Sequence, residues 1–265
     1  MGSVIALANQ KGGVGKTTTS VNLGACLAET GQRVLLIDLD PQGNATSGLG
    51  VEKQNIKQSI YDVLINEVPL EDVIQKTSHV GVDIAPTTIA LSGAEVELTN
   101  LMARETRLKD SFGEIRQKYD FILIDCPPSL GLLTINAFTA CDSILIPVQS
   151  EYYALEGLSQ LLNTIKLVRK HFNPQLKIEG VLLTMFDRRT NLGQQVNSEV
   201  KKFFGDQVYD TIIPRNVRLS EAPSHGLAII DYDKNSTGAH VYQQLAKEVL
   251  ANHGKEYKRW AWSRY

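Results

Sequence analysis

The sequence is short of the features that mark several large protein classes. Its 265 residues include three cysteines, Cys26, Cys126 and Cys141. The number is odd and no C-x-x-C pair occurs, which excludes a disulfide framework or zinc knuckle and implies a reducing compartment. No apolar run approaches the roughly 18 residues needed to cross a bilayer, so a membrane partner is not expected. The first residues show no basic segment followed by a free apolar stretch, which argues against a secretory signal. Ala6 stands where a myristoylation signal needs Ser or Thr. A cytoplasmic location follows as the expectation. Neither sign of charge dominates, since the formal net charge is −2 and the pI about 6.2; that balance disfavours a constitutive nucleic-acid binder. Internal repeats and low-complexity linkers are also lacking, so one domain is the economical reading.

What is present is a globular composition, 43% hydrophobic and 21% charged, sufficient for a sizeable core. Short β-branched runs alternate with longer helical stretches, the pattern of βαβ units around a parallel sheet. Strands are expected at 4–8, 34–38, 121–125, 144–148, 180–184 and 209–213. They are apolar throughout, which implies helices on both faces. Helices are expected over 16–29, 104–118, 132–140, 154–171, 192–204 and 238–251, with several short helical pieces between 41 and 100. The expected fold is α/β: a single doubly wound domain over residues 1–251, with a mostly parallel twisted sheet and helices on both faces. A basic-aromatic tail, 252–265, follows. Residues 254–265 carry both tryptophans, four basic residues and one acid. Such ends can lie in a membrane interface. Here, however, Tyr257, Ala261 and Arg264 share a helical face, so no clean apolar stripe forms and a surface-packed or frayed terminus is expected.

The strongest chemical signal is Lys11-Gly12-Gly13-Val14-Gly15-Lys16-Thr17-Thr18, directly after the first strand and opening the first helix. Glycines let backbone N–H groups approach phosphates, and the helix N-terminus adds its positive dipole end. Lys16 reaches the terminal phosphates and the Thr17 hydroxyl can bind Mg²⁺. The common P-loop pattern has Gly where this chain has Gln10, and a second lysine, Lys11, opens the loop instead. A dinucleotide fingerprint fits less well, because Thr18 replaces its third glycine. Asp125 ends an apolar strand, as an acid holding the Mg²⁺ shell directly or through water would. Asp38 and Asp40 end the second strand, and ligands gather at the carboxyl ends of strands in doubly wound sheets. Between Lys166 and Lys202, eight basic residues face three acidic ones, a local excess able to attract polyanions. Such a run is more often a solvated helix face.

Lys-Gly-Gly-Val-Gly-Lys-Thr at 11–17, Asp-Leu-Asp-Pro-Gln-Gly-Asn at 38–44 and Ile-Asp-Cys-Pro-Pro at 124–128 resemble the deviant-Walker ParA/MinD P-loop ATPases. The stretch 213–224, with 151–157, narrows the resemblance to the chromosomal ParA (Soj) group. The resemblance implies a slow, partner-stimulated ATPase in DNA segregation that uses ATP and Mg²⁺. It implies that Lys11 reaches across an ATP-dependent homodimer to the partner's phosphates. Lys16 and Thr17 are then the phosphate and Mg²⁺ ligands, Asp40 positions or activates the attacking water, and Asp125 is the strand-end acid. Pro214 and Asn216, with Met185, border the adenine. The implied partners are non-specific double-stranded DNA, contacted by Arg189 and Arg218 with Lys201 and Lys202 as neighbours, and a ParB-like centromere-binding protein; the location is cytoplasmic and nucleoid-associated. The loop begins at residue 11, so no helix-turn-helix extension is expected before it. The alternative is a membrane-cycling positioning ATPase of the MinD type. An iron–sulfur ATPase would need cluster-ligating thiolates, for which Cys26, Cys126 and Cys141 are poorly placed.

Overall fold

The computed structural model describes residues 1–150, 156–187 and 190–255. Its sheet has seven strands: β1 (Ser3–Leu7), β2 (Val34–Asp38), β3 (Gln75–Lys76), β4 (Val82–Ala85), β5 (Phe121–Asp125), β6 (Ser143–Gln149) and β7 (Lys177–Thr184). Their order is β3-β4-β2-β5-β1-β6-β7. All pairings are parallel except β3 on β4. Alternate residues enter opposite layers, as the pleat requires. Val4, Ala6, Leu35 and Ile37 face one layer, where the helix Leu132–Ala140 and the helix Glu156–His171 pack. Ile5, Leu7, Val34 and Leu36 face the other, under the helices Lys16–Ala28 and Thr237–Asn252. Covered on both faces, the strands read as apolar runs in the sequence. The single α/β domain with a mostly parallel sheet is thereby found.

Several elements differ from the expectation, three of them instructively. Residues 209–213 do not form a strand. Tyr209 N–H donates to Val181 O and Ile213 N–H to Leu183 O, but between them Thr211 N–H turns to the Glu248 carboxylate at 3.1 Å. A side chain from the C-terminal helix thus interrupts the ladder. The helix expected over 104–118 is two short helices, Arg107–Ser111 and Ile115–Lys118, parted by Gly113 with φ +42°. A strand was missed at Val82–Ala85, inside the stretch read as helical pieces. It pairs with β2 in parallel from Val34↔Val82 to Ile37↔Ala85. Asp83 in its middle blurs the apolar signal and bonds the Tyr119 hydroxyl at 2.8 Å.

At the amino-terminal end of the sheet, β6 and β7 shift register past Glu179. Glu179 accepts from the Ser143 hydroxyl at 2.7 Å and bonds His253 at 3.0 Å, which fastens the end of the C-terminal helix to β6 and β7. Gly180, next in β7, packs under Tyr209, whose ring would lie 2.5 Å from an added Cβ. Gly180→Ala is therefore expected to destabilise the fold by about 1–3 kcal/mol through overpacking, read as a lower urea midpoint with unchanged m-value.

Candidate active site

The loop between β1 and the helix Lys16–Ala28 is held from several sides. Gly13 and Gly15 have φ of +72° and +86°, a backbone that glycine adopts without strain. Asn9 braces the start of the loop: its amide donates to Pro147 O at 2.7 Å and its oxygen accepts from Lys11 N–H at 3.0 Å. Thr184, at the end of β7, donates to Val14 O at 2.8 Å. Lys16 is buried, and its ammonium donates to Asn9 O and Lys11 O at 3.0 and 3.2 Å. Burial holds it below the usual lysine range, against the pull of Asp125, Cys126 and Asp40. Gly12 and Gly13 are exposed at the rim, with half-buried Lys11 beside them.

Parallel register brings the strand-end acids together, because Asp38 of β2 lies opposite Asp125 of β5. Asp125 is fully buried. It accepts from Thr17 Oγ1 at 2.7 Å and from Ser20 Oγ at 2.9 Å. Burial, then the Asp38 charge, pushes its carboxyl pKa up while the two hydroxyls pull the other way. Asp38 is also raised, mainly by burial. Asp40 is buried just beyond, and its Oδ1 accepts from Gln42 N–H at 3.0 Å. A cluster of hydroxyl and carboxylate oxygens with excess negative charge suits a hard divalent cation such as Mg²⁺.

A cleft of about 770 Å³ lies beside the loop. Its lining includes Gly15, Thr17 and Thr18 together with Met185, Pro214 and Asn216. The structure thus gathers residues some 200 positions apart that the sequence reading had grouped. Met185 sits at φ +50°, and Asn216 caps the helix Val217–Glu221 by accepting from Arg218 N–H at 2.9 Å.

None of Asp38, Asp40 and Asp125 lines the cleft; Asp38, expected to point toward the ligand with the other two, turns its carboxylate to backbone and hydroxyl donors. Arg218 lies beside the cleft but pairs with Glu221 at 2.8 Å and Asp233 at 3.6 Å. Lys201 and Lys202 are exposed in the last turn of the helix Asn191–Phe204. Arg189, the 151–155 part of the family stretch and the tail from 256 lie outside the described residues.

Sequence reasoning missed several supports, Asn9 and Thr184 among them, and two others show why. Ser20 follows Thr17 by three residues, the spacing that puts both on one helical face, so it was findable. Tyr242, which bonds the Thr19 hydroxyl at 3.1 Å, was not, since 223 residues separate the two.

Comparison with known proteins gives a consistent result. A family model described as an AAA domain matches residues 2–178. The chain is 66% identical over 252 residues to the sporulation initiation inhibitor protein Soj of Bacillus subtilis, covering 95% of this chain and 100% of that one. It is 54% identical to the chromosome partitioning protein ParA of Myxococcus xanthus, covering 94% and 88% of the two chains. Among solved structures, cobyrinic acid a,c-diamide synthase from Mycobacterium smegmatis with bound ADP and magnesium matches with a TM-score of 0.85 at 36% identity, over 98% and 100% of the chains. The septum site-determining protein MinD of Pyrococcus horikoshii, complexed with Mg-ADP, matches at 0.76 and 27% identity over 94% and 96%.

The crowded acids make a prediction about stability. In the folded chain the Asp125 pKa is raised to about 7, whereas the unfolded value is near 4. The folded state therefore binds more protons between those values, and stability falls as pH rises through that window. Asp125→Asn is expected to raise the melting temperature of the nucleotide- and magnesium-free protein at pH 8 by roughly 3–6 °C, equivalent to about 1–2 kcal/mol. The gain should shrink at pH 5, which differential scanning calorimetry would read.

Proposed function

The chain belongs to the ParA/Soj family of chromosome-partitioning P-loop ATPases, and from that premise we propose that it is an ATP- and Mg²⁺-dependent DNA-segregation ATPase. ATP binding closes two copies into a homodimer that holds double-stranded DNA without sequence preference. Hydrolysis, stimulated by a ParB-like partner, releases it. The observation that carries the reading is the Thr17–Asp125 contact at 2.7 Å, with Thr17 lining a cleft large enough for a nucleotide. The name of the 36% identical structure is that of a synthase, whereas the relatives at 66% and 54% identity are a Soj and a chromosome partitioning protein; the higher identities favour partitioning.

The proposed mechanism uses residues already described. Backbone N–H groups from Gly12 to Thr18 cradle the phosphates, and Lys16 exchanges its two carbonyl partners for phosphate oxygens. Thr17 and Asp125, the latter directly or through water, hold Mg²⁺, which when bound neutralises charge building on the phosphates. Met185, Pro214 and Asn216 enclose the adenine. Asp40 orients a water in line with the γ-phosphorus; the water oxygen forms the new P–O bond as the ADP oxygen leaves. Lys11 extends to the phosphates held by the other copy. Tying one neutralising charge to the partner makes the dimer the hydrolysing form. Arg189, Arg218, Lys201 and Lys202 contact DNA phosphates, and for Arg218 this means exchanging Glu221 and Asp233 for phosphate. Two-fold symmetry doubles a patch too weak to hold DNA alone.

Lys16→Ala is expected to weaken ATP binding by about 10–100-fold, the worth of a hydrogen-bonded charge. Asp40→Ala should retain binding and lower kcat by about 10²–10⁴-fold. Isothermal titration and phosphate release separate the two, and normal turnover by Asp40→Ala removes Asp40 from its role. DNA mobility shift should appear with ATP and vanish with ADP. Arg218→Ala should reduce the salt dependence of that binding by about one charge per copy; an unchanged slope takes Arg218 out of the DNA surface.

A further inference from the structure

Asp38 is fully buried and lies opposite Asp125, so the fold places its carboxylate where negative charge is already crowded. Its three contacts explain why. Oδ2 accepts from Thr46 N–H at 2.8 Å and from the Thr46 hydroxyl at 2.7 Å. Oδ1 accepts from Asp40 N–H at 3.2 Å. One carboxylate therefore grips both ends of the turn from Asp40 to Thr46. Inside that turn, Gly43 takes φ +62° and donates its N–H to Asp40 O at 2.8 Å. Lys53 donates from outside to Gln42 O at 2.5 Å. The buried Thr46 hydroxyl also accepts from Thr87 N–H at 3.1 Å, which anchors the turn to the chain just after β4.

We infer that Asp38 is a positioning residue for hydrolysis: it holds the Asp40–Thr46 turn in the conformation from which Asp40 orients the attacking water. The inference rests on the role proposed above for Asp40. All three groups facing Asp38 are donors, so the site requires an acceptor with two oxygens and no hydrogen of its own. Asparagine, of the same shape, sets an N–H₂ against a donor. A purely stabilising buried ion is a poor bargain for a fold, because apolar or neutral residues commonly serve as well; a turn that must stay in one geometry has a use for it. Displacements of an ångström at a reacting group lower rates by about 10²-fold, so loosening this turn acts on chemistry more than on binding.

The test uses the full-length chain with ATP, Mg²⁺ and DNA. Asp38→Asn is expected to lower kcat by about tenfold or more while the ATP Kd and KM move less than about threefold, a split that marks loss of an interaction made in the transition state. Thr46→Val, which removes the hydroxyl bonded to Asp38, should lower kcat in the same sense, and Thr46→Ser should restore most of it. A folded Asp38→Asn with wild-type kcat overturns the inference, as does a loss carried by KM alone. If Asp38→Asn fails to fold, the Thr46 pair decides, and equal rates for Thr46→Val and Thr46→Ser overturn it. Asp40→Ala run alongside separates the two layers. Normal turnover there sinks the Asp40 reading itself, whereas an inactive Asp40→Ala beside a fully active Asp38→Asn sinks only the positioning role.

Discussion

Three carboxylates buried within one corner of a sheet are the constraint around which this molecule is arranged. Asp38, Asp40 and Asp125 all fall below one-tenth exposure, and unpaired buried charge is among the costliest features a fold can carry. Parallel register forces the arrangement, since β2 and β5 end side by side at Asp38 and Asp125. The response is a dense supply of donors: the hydroxyls of Thr17 and Ser20 on Asp125, Thr46 and the Asp40 N–H on Asp38, and the Gln42 N–H on Asp40. Lys16 is drawn in as the nearby cation. Such a corner is strained by its charge until a cation and a polyphosphate arrive, which is how a site can make ligand binding and conformational order the same event.

The glycine loop and the later part of the chain are joined by a second set of contacts. Asn22, on the helix that starts at Lys16, donates to Thr18 O at 2.7 Å and accepts from Ile229 N–H at 2.6 Å. Tyr242 of the C-terminal helix meets Thr19 of the same helix. The Ser78 hydroxyl donates to Gly226 O at 2.9 Å and reaches Leu49 O at 3.1 Å. That joins the segment after Asn216 to the loop after Asp40. The proposed adenine-binding and water-orienting parts of the site thus belong to one hydrogen-bonded frame.

The surface story is of a different kind. Arg218 is shared between Glu221 and Asp233, and exposed pairs of this sort contribute little to stability. Such weak pairs leave an arginine able to exchange partners at little cost. In the proposed reading, a net charge of −2 makes DNA binding conditional, and a patch doubled by the alignment of two copies would meet that condition.

The sequence by itself determined the parallel α/β architecture, the glycine loop with Lys16 and Thr17, and the strand-end acids, because each depends on local chemistry: apolar runs, glycine conformations, a charge at the close of a strand. It also pointed to Met185, Pro214 and Asn216 through family resemblance. Tertiary structure alone decided the rest. That the Asp38 carboxylate bonds both ends of the turn from Asp40 to Thr46 depends on where Thr46 folds back. That 209–213 is no strand depends on Glu248 arriving from the last helix, and that Tyr242 supports the loop helix depends on a contact across 223 residues. Hydrogen-bond partners distant in the chain leave no periodicity behind; they exist only once packing has brought them within bonding distance of each other.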